Sequence, residues 1–416
     1  MAELDSAVLR SHLENALGKE GYAAFSRSLE TEPSVSIRLN PSKTPNAPLP
    51  ILKGAEQVPW SPYGYILTTR PVFTLHPNFH AGAYYVQDSS AMFVGHIFRK
   101  ALKSLTEKFP GRKVRVLDLC AAPGGKTTDL AASLREACGD NFILVANEVM
   151  RQRASVLLDN VAIWGDPNVV VCSADPKAFA RLEGYFDIIL ADVPCSGEGM
   201  FRKDAKALEE WSPETVQLCA SRQRRILADV WPALAAGGQF IYSTCTFEPS
   251  ENDDNLQWAA ETLGAGIVPP EDEFGVRATR FGHLLVPGEV PGEGQWCGWM
   301  VRDGQPGIMT AGVEALQYLH PMRCGVVKGE MKGKDFVPSA DWALSIDYDR
   351  SFCPQVEVDK MTALHFLHKD SIVLPDAPKG YNLLTYRGLA LGFVKNLGTR
   401  CNNLHPQSRR IRMDIE

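Results

Sequence analysis

Five short apolar runs recur between helix-like stretches: VRVLDL from Val114, FILVANE from Phe142, VVVCSAD from Val169, FDIILADV from Phe186 and QFIYSTC from Gln239. Strands this apolar have no polar face to offer water, so each must be covered on both sides. Their alternation with helical segments predicts an α/β fold with a mostly parallel, Rossmann-like sheet and helices on both faces. In such a sheet, ligands lie outside the carboxyl ends of the strands, and residues far apart in sequence converge there.

A chain of 416 residues exceeds one ordinary core and is expected to divide. Residues 1–95 open with a helical stretch, Leu4 to Leu17, followed by Pro-rich sequence from Pro33 to Pro77, and read as a small α+β module. The sheet domain is expected over 96–305 and a small β-rich domain over 310–416. Before the last apolar run, Ser212 is placed to cap a helix, Pro213 to fill its first position, and Gly237-Gly238 to end the segment. Val230, Trp231 and Leu234 would then pack on the sheet, leaving Arg222, Arg224 and Arg225 partly toward solvent.

The apolar fraction of 45% and charged fraction of 22% are those of a folded, water-soluble protein. No run approaches the roughly 18 to 20 apolar residues of a membrane span, and Met-Ala-Glu-Leu-Asp lacks the features of a signal peptide, so a cytoplasmic monomer with no membrane partner is expected. None of the ten cysteines falls in a C-x-x-C pair, which argues against structural zinc, and no metal is expected. A net charge of −6 leaves room for nucleic acid only where Lys and Arg cluster locally.

The first strand opens into Cys120, Ala121, Ala122, Pro123, Gly124, Gly125 and Lys126, small residues that let a ligand approach the backbone ahead of a helix N-terminus. The segment is not a P-loop, because that motif needs glycine where Cys120 stands. Glu148 follows the second strand, where a nucleotide-type cofactor meets a carboxylate at its ribose; a solvated loop acid is the alternative. Asp175 follows the third, as an adenine acceptor or a helix N-cap. Asp192-Val-Pro-Cys195 follows the fourth and Ser243-Thr-Cys245-Thr the fifth, so two cysteines stand at equivalent strand ends, one beside a carboxylate. Thiolate is the reactive form, and nearby Lys126 charge would favour it.

DVPCSGEGMFRK from Asp192, STCTF from Ser243 and CAAPGGKT from Cys120 together resemble the Nop/Sun (Fmu-type) RNA cytosine-5 methyltransferases, most closely the bacterial RsmF-like ribosomal RNA enzymes. YYVQDSSAM from Tyr84 is similar to the family's N-terminal signature, and GFVKNLGTRCNN from Gly392 to its C-terminal PUA-like RNA-binding domain. After Gly292-Glu-Gly294 the family continues with aromatic and apolar residues; here Gln295-Trp296-Cys297 leaves the final strand's register open.

The resemblance implies a class I methyltransferase domain that binds S-adenosylmethionine over residues 120–126, with Glu148 at the ribose, Asp175 at the adenine and Asp192 near methyl transfer. It implies Cys245 as nucleophile and Cys195 as the residue aiding product release. Such an enzyme would form 5-methylcytosine, in 16S ribosomal RNA or, as the alternative, in transfer RNA. Carbon 5 of cytosine is a poor nucleophile, so addition of a thiolate at carbon 6, with Asp192 aiding protonation at N3, divides one hard step into two. Arg202, Lys203 and Lys206 beside the Pro-Cys loop, and Lys395, Arg400, Arg409, Arg410 and Arg412 near the end, are the expected phosphate contacts. The acid-rich stretch Glu3 to Glu20 is no obvious RNA platform. A DNA cytosine-5 methyltransferase would not carry the second motif, Thr244-Cys245, and a silent RNA-binding scaffold would not need both cysteines, Asp192 and the loop together.

Overall fold

The computed structural model describes residues 7–43, 48–305 and 312–415. Leu4, Glu3 and the expected domain start at 310 lie outside them. Helix α1, Ala7–Ser28, is kinked at Gly18 and lays Leu9, Leu13, Leu17 and Phe25 into the same apolar cluster as the central sheet. A small four-stranded sheet follows, built from Ser36–Leu39, Glu56–Gln57, Gly64–Ile66 and Tyr84–Val86. Helix α2, Met92–Lys108, was not among the expected elements, and the boundary expected between 95 and 96 falls inside it. It buries Phe93, Ile97, Phe98, Ala101, Leu102 and Leu105.

The central sheet is built on β1 (Val114–Asp118), β2 (Phe142–Asn147), β3 (Val169–Cys172), β4 (Phe186–Asp192) and β5 (Leu234–Thr244), one for each apolar run. These five are parallel, and β6 (Gln295–Arg302) pairs antiparallel with β5, giving the order 3-2-1-4-5-6. The α/β fold is therefore as expected, and the sheet is mixed once β6 and the short antiparallel strands beyond it are added. Successive strand residues face opposite sides: Leu117, Val145, Ile189 and Tyr242 enter one core, and Val116, Leu144, Ile188 and Ile241 the other.

Helices α3 (Gly125–Cys138), α4 (Arg151–Trp164), α5 (Pro213–Val230) and α6 (Asp253–Leu263) cover the sheet. Ser212 accepts the Thr215 N–H at 3.1 Å and Pro213 opens α5, as the cap signals predict. Gly237-Gly238 does not stop a helix, contrary to expectation. β5 already begins at Leu234, and the glycines sit where its pairing with β4 slips between Phe186 and Ile188. Gly237 has φ +72°, and a Cβ on Gly238 would lie 2.8 Å from the Ala235 carbonyl, so the irregular strand is possible because both residues are glycine. The open register of the last strand resolves with Trp296 opposite Thr244 and Cys297 opposite Ser243.

The C-terminal domain carries Gln355–Glu357, Gly380–Tyr386, Leu389–Asn396 and Cys401–Asn403 as a four-stranded sheet, with helix α7 (Lys360–His368) beside it. Leu364 and Leu367 of α7 share an apolar cluster with Ile37 and Tyr84 of the N-terminal sheet.

Candidate active site

The order 3-2-1-4-5 reverses direction between β1 and β4, and the crevice above such a reversal is where this architecture holds ligands. The loop after β1 closes it from one side. Gly124 holds φ +113° immediately before α3, a conformation glycine adopts without strain, and Ala121 N–H bonds the Asn147 carbonyl at 2.8 Å. Asp118 is buried beneath this loop. Its Oδ2 accepts from Thr127 Oγ1 at 2.7 Å, and burial, with the charges of Asp192 and Glu148 adding, pushes its carboxyl up to about 7. Burial and the same acidic neighbours push the Cys120 thiol far up, so this cysteine is no thiolate.

Lys126 turns toward β4, where its Nζ donates to Asp192 Oδ2 at 2.8 Å. Asp192 Oδ1 accepts from Ser243 Oγ at 2.6 Å, so one carboxylate joins α3 to the ends of β4 and β5. Burial opposes the Lys126 charge, but Asp192 outweighs it, followed by the influence of Cys245 and Asp118, and the ammonium is held above its ordinary range.

Glu148 is buried rather than solvated. Its Oε1 accepts the Met150 N–H at 2.9 Å, and Oε2 lies 3.2 Å from Arg153 Nη1. Asp175 is exposed and caps a short 3-10 turn, accepting the Lys177 N–H at 2.9 Å, which leaves Oδ2 toward solvent.

Cys195 and Cys245, separated by 50 positions in the chain, meet with Sγ atoms 3.1 Å apart. The Cys245 N–H also points at Cys195 Sγ at 3.3 Å. Contact with Cys245, then burial, push the Cys195 thiol well up. The Cys195 thiol is thereby held toward its protonated form, either sulfur being able to donate across the contact, while Lys126 sets a positive charge on the Cys245 side. All four expected catalytic residues, Cys245, Cys195, Asp192 and Lys126, stand in one crevice.

Two of the three basic residues beside the Pro-Cys loop are committed to acids of the protein itself. Arg202 grips Glu293 with Nε at 3.0 Å and Nη2 at 2.7 Å and reaches the Ser28 carbonyl, while Lys203 pairs with Asp88 and lies 3.6 Å from Glu293. Both clamp the loop to its neighbours, because buried acids there need counter-charges. Lys206 is exposed. Arg409 is likewise committed, to Asp159 of α4 at 2.8 Å and Asp341 at 2.7 Å, and Lys395 lies over the Tyr381 ring, whereas Arg400, Arg410 and Arg412 are exposed.

Two groups escaped sequence reasoning. Arg38 of the N-terminal sheet is fully buried and donates to Gln87 Oε1 at 2.9 Å, Thr128 Oγ1 at 2.6 Å and the Gly125 carbonyl at 3.0 Å, tying that sheet to the start of α3. Glu198 and Glu251 lie buried behind the cysteines; the only signal was that each shortly follows one of the two cysteine motifs.

Three family descriptions match successive parts of the chain: the N-terminal domain of 16S rRNA methyltransferase RsmF over 9–89, 16S rRNA methyltransferase RsmB/F over 109–263, and the methyltransferase RsmF PUA domain over 353–411. Ribosomal RNA small subunit methyltransferase F of Cronobacter sakazakii is 38% identical over 241 residues, 55% of this chain and 48% of that one. Its namesake in Klebsiella pneumoniae is 40% identical over 197 residues, 47% and 39% of the two chains. The matches span about half the length of these curated relatives or less. Among solved structures, a methyltransferase homolog from Pyrococcus horikoshii superimposes with TM-score 0.58 at 24% identity, covering 70% of this chain and 93% of that one. NSun6 from Pyrococcus horikoshii with SFG gives TM-score 0.56 at 17% identity, covering 72% and 98%, a likeness of fold. With the two cysteine motifs brought together at the ends of β4 and β5 and all three regions matched in order, the chain belongs to the RsmB/F methyltransferase family and carries the N-terminal, methyltransferase and PUA domains of its RsmF members.

Proposed function

We propose that the protein is an S-adenosylmethionine-dependent RNA cytosine-5 methyltransferase acting on small-subunit ribosomal RNA. The observation that carries this reading is the Cys195–Cys245 contact of 3.1 Å beside the Lys126–Asp192 pair. One thiol alone is usually inert packing, but two in contact, with a lysine charge on the Cys245 side, supply a nucleophile and a second proton-transfer group.

The residues present fit the methyl donor. Asp118 Oδ1 is buried with no hydrogen-bond partner among the described residues, Glu148 has acceptor capacity beyond its two contacts, and Asp175 keeps an open oxygen, so acceptors stand after three adjacent strands. When bound, the sulfonium cofactor supplies an electrophilic methyl group. Glu148 would hold the ribose hydroxyls and Asp175 the adenine amino group.

Cys245 thiolate adds to carbon 6 of an unstacked cytosine, while the Lys126–Asp192 pair stabilises and protonates the N3 end, leaving carbon 5 electron-rich. After carbon 5 is methylated, Cys195, which has passed its own proton to water, takes the C5 proton as a thiolate, directly or through one water, and the N3 proton returns to the Lys126–Asp192 pair. The C5–H electron pair forms the C5=C6 bond, and the C6–S pair returns to Cys245. Cys195 becomes available at the right moment. The contact that most strongly holds its proton is the one with Cys245, and that contact is lost once Cys245 is bonded to the base. RNA would be held by exposed Arg400, Arg410, Arg412 and Lys206 rather than by Arg202, Lys203 and Arg409.

Bisulfite sequencing of total RNA from cells with and without the gene tests the assignment. Loss of a 5-methylcytosine in small-subunit ribosomal RNA is expected; loss in transfer RNA instead would transfer the assignment to that substrate, and no lost site would overturn it.

A further inference from the structure

Behind the thiols lies a buried cluster that the chemistry above leaves unused. Glu198 and Glu251 are both fully buried, and the Ser196 hydroxyl stands between them. Ser196 Oγ is 2.9 and 3.1 Å from the two Glu198 oxygens, in hydrogen-bond contact with Glu251 Oε1, and 3.0 Å from Thr246 Oγ1. Glu251 Oε2 accepts from Gln223 Nε2 of α5 at 2.6 Å and from the Ser196 N–H at 3.2 Å. The Trp211 indole donates to Glu198 Oε1.

A serine hydroxyl carries one hydrogen. It can satisfy one carboxylate; contact with the second requires a hydrogen from that carboxyl, because otherwise lone pairs would face each other in a dry interior. The cluster therefore retains a proton. Burial, with the Glu198 charge adding, pushes Glu251 up to about 8, and burial raises Glu198 as well.

No Lys, Arg or His bonds the Glu251 carboxylate among the described residues. Facing Glu251 are Ser196 and Glu198 from the Pro-Cys loop, Gln223 and Cys219 from α5, Tyr242 from β5 and Asn255 from α6. The nearby charges are tied elsewhere: Arg224 to Asn255 Oδ1 at 2.8 Å, and Glu248 to His12 Nδ1 at 3.0 Å. After contact with Cys245 and burial, the Glu251 charge is a further influence opposing ionisation of Cys195.

We propose, resting on the cysteine mechanism above, that Glu251 is a positioning residue for product release: kept neutral by the proton it shares across Ser196 with Glu198, it leaves Cys195 free to ionise once Cys245 is bonded to the base. The sign follows from like charges, since Glu251 Oε2 lies 3.2 Å from the N–H of Ser196, the residue next to Cys195. When Glu251 loses its proton, at a pH above about 8, a negative charge appears behind Cys195 and its thiolate becomes harder to form.

The test is the rate of Cys195 alkylation by iodoacetamide, read by peptide mass spectrometry, in Cys245→Ala and in Cys245→Ala/Glu251→Gln, where the spent nucleophile is mimicked. Near pH 6.5 the two should react alike. Near pH 9 the variant lacking the carboxylate should react about three- to tenfold faster, the effect of a half to one pK unit. A ratio that does not change with pH would overturn the proposal, because a purely structural effect shifts both rates together. Should Glu251→Gln not fold, Cys245→Ala/Glu198→Gln serves. Removing the neighbouring charge must lower the pH at which Cys195 reactivity is suppressed, and an unmoved profile refutes the shared proton. Alkylation uses neither methyl donor nor RNA, so its failure sinks the role of Glu251, whereas absence of 5-methylcytosine sinks the assignment above.

Discussion

Replacing Cys195 by Ala separates the two halves of the proposed cycle. The substitution removes the sulfur 3.1 Å from Cys245 Sγ and the acceptor of the Cys245 N–H at 3.3 Å. A hydrogen bond to a charged group contributes about 1.5–3 kcal/mol. A thiol is a weak donor, so the lower end applies, and attack should slow by about tenfold. Removing a group that takes up a proton in the transition state slows that step by about 10²–10⁴-fold, or about 2.7–5.5 kcal/mol. Release should therefore lose at least about tenfold more than attack. The covalent enzyme–RNA species should accumulate as a slowly migrating band on a denaturing gel with labelled RNA, and disappear in Cys195→Ala/Cys245→Ala. Turnover within about threefold of wild type, with no trapped band, would refute the reasoning and leave Cys195 as a packed loop residue.

Cys245→Ala should abolish transfer of labelled methyl groups while calorimetry still detects cofactor binding, since the thiol acts on the base; transfer at wild-type rate would exchange the roles of the two cysteines. Glu148→Ala should weaken S-adenosylmethionine binding by about 1–3 kcal/mol, and unchanged affinity by calorimetry would make it a structural acid serving Met150 and Arg153 alone. Arg38→Ala removes the ion partner 3.8 Å from Asp129, leaving Arg99 at 3.2 Å, and deletes the donor of three buried hydrogen bonds, so urea unfolding should show a loss of about 3–5 kcal/mol. A loss below about 1 kcal/mol would mean that Arg38 does not brace the start of α3.

The five apolar runs made the parallel core legible before any tertiary contact was known, because strands covered on both faces read as near-continuous apolar segments. The strand-end positions of Cys120–Lys126, Glu148, Asp175, Asp192, Cys195 and Cys245 follow from that core, since each lies at or shortly after the C-terminal end of a run visible in the chain. Tertiary structure alone decided which of these groups touch. The Cys195–Cys245 contact depends on β4 and β5 being neighbours, and the turn of Lys126 toward Asp192 depends on β1 lying beside β4. Charge was the least legible property. Arg202, Lys203 and Arg409 read as an RNA face until their acidic partners Glu293, Asp88, Asp159 and Asp341, each remote in sequence, were brought against them. Glu198 and Glu251 drew no reading from the sequence, and the fold takes both out of water around one serine. A side chain's ionisation depends on the dielectric and the charges around it, and those are set by whatever the fold packs against it, which local sequence does not encode.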